Sequence, residues 1–462
     1  MLSYQDYRQH VEQLMVAAVA AADPAESVRR VLHREQNIIH IGDLTYDLNL
    51  GQVYVLSVGK AAASMIEPVI NLLEDDLHAA VVISKKGSET AKNLAGRDHP
   101  ALTVLEGNHP VSGAESIRAT QLVMQMLVQT GANDLVLCLI SGGTSALLSL
   151  PTISLDDWQA LTNALLASGC TINELNTVRR QLDRVKGGGI VQMAAPARCI
   201  SLILSDVIGN PLHAIGSGPT IFVQENAADA IAVLQRYAIA EHLDSDCWAR
   251  IIGRLERSSL APKMEEIHND HMIVGDVRMS ATSALAKAMQ LGFVSQLLTA
   301  RLEGEAKEVG RVAAAIAKDM PKGRCLILGG ETTVTLDAEG LGGRNQELAL
   351  AAAVSLDGWP NIVIASIATD GEDGPTPAAG AVISGETASY GRQLGLEPLQ
   401  FLDRHDSFHF FQHLDEVSRQ ALDDGLQSPS LTLLAPGPTG TNVNDLLFIM
   451  TYPANDTNAE HQ

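Results

Sequence analysis

Two hydrophobic periods alternate along this chain. Short, continuous apolar runs stand at Val53–Val58, Ala79–Ser84, Leu135–Ile140 and Cys199–Leu204, and the stretches between them show helical spacing. That alternation predicts a mostly parallel sheet with helices packed on it. Ahead of it, Leu14–Ala22 is apolar, but Asp6 and Glu12 precede it where a secretory signal carries basic residues, so an amphipathic first helix is expected. From Ala227 to Glu266 the pattern is helical without a strong strand, and Ser258–Pro262 interrupts it. The domain boundary is expected there, dividing the chain into 1–258 and 259–462.

The alternation restarts with His271–Val274, Val294–Leu298, Cys325–Leu328, Thr332–Leu336, Ile362–Ala368 and Asp445–Thr451, so the smaller second domain is also expected to be α/β. The tail after Pro453 is polar and expected to fray. No apolar run approaches the roughly 18 residues of a membrane span, and a soluble, cytoplasmic protein is expected.

Length agrees with two domains, because 462 residues exceed what one hydrophobic core usually organises. Charge narrows the partners. Lys and Arg total 32 against 54 Asp and Glu, a formal net charge of −22 that would repel nucleic acid at long range. In such a chain a local run of cations is informative. The cysteines Cys138, Cys170, Cys199, Cys247 and Cys325 are odd in number, widely spaced and without metal-ligand spacing, which suits a reducing compartment.

Several strand-to-loop junctions carry candidate chemistry. In Val58-Gly59-Lys60-Ala61-Ala62 an apolar strand breaks into an Ala-rich helix, so Lys60 falls at a helix N-terminus. A cation there opposes the macrodipole at a cost of about 0.3–1 kcal/mol unless an anion shares the place. Ser141, Gly142, Gly143, Thr144 and Ser145 form a second such junction, with glycines that let a ligand approach the backbone and three hydroxyls. It is not a Walker A loop, and a Gly-Gly turn also occurs without a ligand. The helix Asn176–Lys186 carries Arg179, Arg180, Arg184 and Lys186 against one acid and ends in three glycines; it is either a solvated face or, through Arg179 and Lys186, part of an anion-binding cleft.

Asp206 follows an apolar run, at what would be the carboxyl end of a parallel strand, where open α/β sheets bind ligands. A turn-capping Asp is the bland alternative. In the second domain Arg344 follows the glycines of Gly340–Gly343, where its planar fork could hold a carboxylate or phosphate. Thr369–Thr376 clusters acids, and Asp370 and Asp373 either help hold Mg²⁺ or belong to a solvated turn.

Together these stretches resemble the glycerate 2-kinase family. The resemblance rests on VGKAA at 58–62, NHP at 108–110, SGGTSALL at 141–148, NTVRRQLDRVKGGG at 176–189, SDVIGNPLHAIGSGPT at 205–220, GGRNQELAL at 342–350, ATDGEDGPTPAAGA at 368–381 and GPTGTNVNDL at 437–446. It covers nearly the whole chain. It departs from the family pattern at Pro377, where relatives commonly have an acid, and at His405-Asp406-Ser407-Phe408.

The resemblance implies an N-terminal Rossmann-like domain and a C-terminal domain particular to the family. It further implies ATP-dependent phosphorylation of D-glycerate at the C2 hydroxyl, with catalytic chemistry on Lys60, Asp206 and Arg344. ATP and Mg²⁺ are the expected cofactors, D-glycerate and ATP the expected partners, and a homo-oligomer is left open. Some relatives are named hydroxypyruvate reductase, but no G-x-G-x-x-G opens a βαβ unit as a dinucleotide site would require. A non-catalytic sugar-phosphate sensor would keep the anion loops but need neither Asp206 nor the acidic loop.

Overall fold

The apolar runs of the first half form the centre of one sheet. In the computed structural model, which describes residues 2–97, 99–257, 269–423 and 431–453, the chain divides into Pro24–Val274 and a second unit of Met1–Asp23 with Gly275–Gln462. The first unit opens with an antiparallel meander of β1 (Leu32–Glu35), β2 (Ile38–Ile41) and β3 (Leu44–Asp47). Its main sheet contains β4 (Val53–Val58), β5 (Leu77–Lys85), β6 (Leu102–Gly107), β7 (Leu135–Ile140), β8 (Arg198–Leu204) and β9 (Asn269–Gly275), in the order β6-β5-β4-β7-β8-β9. The pairs β6–β5, β5–β4, β4–β7 and β7–β8 are parallel. All residues of β4 and β7 are buried, which is why these runs read as continuously apolar rather than alternating. Leu56, Val58, Cys138 and Ile140 join Val123 and Leu127 of the helix Ala114–Leu127 in one core, while the helix Ala62–Leu73 packs against β4, β5 and β7.

This strand order is the doubly wound one, and its reversal lies at β4, whose neighbours β5 and β7 diverge in chain direction around the sheet. Val58 pairs with Ile140, and Ile140 with Ile203, so the loops after β4, β7 and β8 leave the sheet at one edge. The Gly59–Lys60, Ser141–Ser145 and Asp206 junctions therefore meet.

The second unit contains β10 (Val294–Leu302), β11 (Arg324–Gly330), β12 (Ile362–Ala368), β13 (Gly380–Ser384), β14 (Leu433–Leu434) and β15 (Asp445–Thr451), ordered β10-β11-β15-β12-β13-β14. Only β10–β11 is parallel among the pairs of this sheet. The helices Ala306–Asp319 and Arg344–Leu356 contribute to one core with Leu447 and Ile449. Val11, Leu14 and Ala18 of the first helix, Tyr7–Ala21, join Ala281, Ala284 and Ala288 of Val277–Gln290 in another.

The division differs from the expected one in two respects. The first helix belongs with the C-terminal unit, because its apolar stripe is buried there, and the strand at 269–275 belongs to the first sheet. The expected junction at 258–259 lies outside the described residues, as does the tail after Pro453. Thr332–Leu336 forms no strand, only an isolated bridge from Thr333 to Glu305. No described helix is long and apolar enough to cross a membrane.

Candidate functional site

Two loops at the sheet's reversal are tied together before any ligand is considered. Lys60 N donates to Gly142 O at 2.8 Å, Ala61 N to Ser141 Oγ at 3.1 Å, and Ser141 N to Val58 O at 3.0 Å. Thr144 Oγ1 donates to Val58 O and Ser141 O at 3.1 and 2.7 Å. Gly59 makes the approach possible: its φ is +127°, and a Cβ there would stand 2.1 Å from Ser141 Oγ. Two of the three hydroxyls of Ser141–Ser145 thus hold the loop itself. The amides of Gly142, Gly143, Thr144 and Ser145 have no acceptor among the described residues, which is the arrangement an anion requires.

The side chains around this loop are of complementary kinds. Lys60 is exposed, one residue before the N-cap Ala61 of the helix Ala62–Leu73. The Asp206 carboxylate packs on Gly142, whose Cβ, if present, would lie 2.0 Å from Oδ2. His109 lies beside Gly143, and its pKa is pushed down to about 4 by burial and by the nearby Lys60 and Lys85 ammoniums. No sequence pattern marks His109 of the NHP block, because β6, which precedes it, is only partly buried and has no strong apolar run.

Behind the loop, Ser145 Oγ is 3.0 Å from Ser217 Oγ, and Ser217 Oγ donates to Asn176 Oδ1 at 2.7 Å. The buried Lys186 ammonium donates to the carbonyls of Ser145, Leu148 and Gly216, at 2.9, 2.5 and 3.4 Å. Burial lowers its pKa to about 8 against the pull of Asp183. Lys186 therefore fastens the loop from behind through its carbonyls. Arg180 is paired with Glu225 and also reaches His213 O. Arg179 is different: it is 9% exposed and has no hydrogen bond or ion pair among the described residues. Burial lowers its pKa to about 10, with Asp183 opposing the shift. It stands one helical turn from Asn176.

The expected residues of the second unit form their own cluster. Gly343 is the N-cap and Arg344 the first residue of the helix Arg344–Leu356. The Arg344 fork grips Asp445 through Nε at 2.5 Å and Nη2 at 2.8 Å, and Nη1 meets Glu331 at 3.0 Å. Burial pushes the Asp445 carboxyl up to about 7 against the Arg344 guanidinium. The carboxylates on Arg344 are thus the chain's own. His405, Asp406 and Phe408 hold the Gly-rich loop: Asp406 accepts from Leu341 N, Phe408 N donates to Leu341 O, and His405 Nδ1 lies 2.9 Å from Glu347.

The carboxylates of the acidic loop are engaged by the chain's own donors. Asp373 is buried, with Oδ1 accepting from Asn345 N and Nδ2 and Oδ2 from Gln346 N and Nε2. Its oxygens satisfy amides at a helix start, where the macrodipole favours a negative group. Asp370 accepts from Glu372 N and Asn442 Nδ2. Among the described residues no group of three or more His, Cys, Asp or Glu is arranged to hold a metal ion.

An open, doubly wound α/β sheet with a glycine loop, a lysine and an aspartate at its reversal belongs to the class of folds whose ligand crevice lies at the strand ends. The chain belongs to the glycerate kinase family. It is 37% identical over 410 residues, 87% of this chain and 91% of the relative, to a D-glycerate 2-kinase of Thermotoga maritima. It is 36% identical over 454 residues, 96% of this chain and 94% of the relative, to a protein of Agrobacterium vitis that bears the name hydroxypyruvate reductase. A crystal structure of glycerate kinase from Thermotoga maritima superposes with a TM-score of 0.81 at 34% identity, covering 96% of this chain and 99% of that one. Residues 10–251 match a family described as a domain of unknown function, DUF4147, and residues 324–445 match the MOFRL family.

The capping role of Asp373 predicts that Asp373→Ala destabilises the protein by about 2–4 kcal/mol, because buried amides lose their acceptor. Denaturant unfolding with and without Mg²⁺ checks this. The loss should be equal in both, whereas a loss confined to the Mg²⁺ sample would make Asp373 a metal ligand.

Proposed function

We infer that this chain transfers the γ-phosphoryl group of ATP to the C2 hydroxyl of D-glycerate. The observation that carries the reading is the convergence, around Gly142 and Gly143, of unpartnered amides, a lysine and an aspartate. Phosphoryl transfer asks chiefly for positioning and charge neutralisation, and these groups supply both. The amides of Gly142–Ser145 cradle phosphate oxygens and Lys60 stabilises charge on the group in transit. Asp206 orients the C2 hydroxyl and accepts its proton as the new O–P bond forms, while the bond from the γ-phosphorus to the bridging oxygen breaks and ADP leaves. Mg²⁺ enters as the counter-ion of ATP.

Lys186 acts through the loop it fastens. Arg179, a planar fork without a partner, holds an anion of the substrates. Arg344 keeps its own loop in place through Asp445 and Glu331 and offers the rest of its fork to a substrate anion. The regiochemistry rests on the family's 2-kinases. Five free cysteines suit a reducing cytoplasm. A nicotinamide-dependent reductase finds less support, because the turn after β4 reads Val58-Gly59-Lys60-Ala61 and lacks the glycine fingerprint of a dinucleotide site.

Initial rates of glycerate-dependent ADP release test the assignment. Lys60→Ala should depress kcat and kcat/KM together with KM for glycerate little changed, and Asp206→Asn should lower kcat about 10²- to 10⁴-fold. Melting temperatures near that of the parent exclude unfolding as the cause. Near-normal turnover in either variant removes that residue from the mechanism.

Arg179 carries a second expectation, since a buried cation without a hydrogen bond or ion pair, only partly offset by the Asp183 charge, costs stability that a bound anion would offset. Arg179→Leu should hold or raise the melting temperature of the free protein while lowering kcat/KM by about tenfold or more. A variant that melts earlier and turns over normally would make Arg179 a structural residue.

A further inference from the structure

The NHP segment at 108–110 has no part in the mechanism above, yet the fold brings it to the same loop. His109 stands two residues past the end of β6, and β6, β5 and β4 are parallel neighbours, so its loop opens at the edge where Lys60 emerges. A Cβ built on Gly143 would lie 3.1 Å from His109 Cδ2, 3.3 Å from its Nε2 and 3.3 Å from Lys60 Cγ. The imidazole and the lysine thus crowd the same glycine, whose amide is among those without an acceptor. The ring is half-buried, and neither nitrogen has a hydrogen-bond partner among the described residues.

We propose that His109 is a further substrate-binding residue of this site, donating a hydrogen bond to phosphoryl oxygens held on the Gly142–Ser145 amides. The proposal rests on the phosphoryl-transfer reading. The groups facing the ring fix the kind of help it gives. Burial, Lys60 and Lys85 all disfavour its protonated form, and Asp206 lies beside Gly142, the next residue of the loop. A neutral imidazole keeps one N–H donor and one acceptor without adding a third cation beside two ammoniums. Its donor is therefore present across the physiological range, and the ring needs no proton exchange to act. Lys60 supplies charge to the bound group, while His109 supplies direction.

Kinetics and ring NMR test this on the full-length protein. His109→Ala should lower kcat/KM for ATP by about 10- to 100-fold, up to the lower end of the loss for removing one donor to developing charge, with the melting temperature preserved. His109→Gln, which keeps an N–H near Nε2, should recover most of that loss. Its pH–rate profile between about pH 6 and 8 should keep the parent's shape, because a hydrogen-bond donor that does not titrate there adds no limb. The ring resonance missing from the His109→Gln spectrum should shift when ADP or inorganic phosphate is added to the parent protein and stay in place with D-glycerate alone.

Parent-like constants for His109→Ala overturn the proposal, as does a ring resonance that ignores both phosphate ligands or answers only to D-glycerate. Loss of one pH limb in His109→Gln overturns it in favour of acid–base chemistry. If the parent releases no ADP with D-glycerate while the ring still answers to ADP, the kinase reading fails and the phosphate contact stands.

Discussion

The account depends on the contact between the loops after β4 and β7. Lys60 N to Gly142 O, Ala61 N to Ser141 Oγ and Ser141 N to Val58 O join two junctions that are far apart in sequence and adjacent in the sheet. The bonds use the backbone of Lys60 and leave its side chain exposed. They use the Ser141 and Thr144 hydroxyls and leave the amides from Gly142 to Ser145 for a ligand. Neither outcome would survive a side chain at Gly59, where a Cβ would fall inside contact distance of Ser141. A preorganised loop with free amides is thus a consequence of parallel register and one glycine, with Lys186 bonded to the carbonyls of Ser145 and Leu148.

Charge placement separates groups that hold structure from groups that await a ligand. Arg180 and Arg344 lie against carboxylates, and Lys186 is saturated by carbonyls. Lys60 is exposed, and Arg179 is buried with only the Asp183 charge nearby and no side-chain hydrogen bond or ion pair among the described residues. Burial of the Arg179 guanidinium without an ion pair costs stability, whereas the exposed Lys60 remains solvated.

Much of this arrangement was legible in the sequence where burial on both faces made strands continuously apolar. β4, β7, β12 and β15 occupy the residues the pattern indicated, and Lys60, Ser141–Ser145 and Asp206 meet because β4, β7 and β8 are adjacent parallel strands. What escaped lacked that signal. β6 and the meander β1–β3 are half-exposed and short, so His109 had no strand to locate it. The first helix reads the same whichever sheet buries it, and only tertiary packing assigns it to the C-terminal unit. Asp373 carried the composition of a metal loop, but its hydrogen bonds go to amides from a segment nearly thirty residues away, which no local pattern announces.

Phosphorus NMR of the products formed from D-glycerate and Mg-ATP tests the central claim most directly. The account predicts the resonance of 2-phosphoglycerate growing in step with ADP; 3-phosphoglycerate as the product, or no transfer to glycerate, would contradict it.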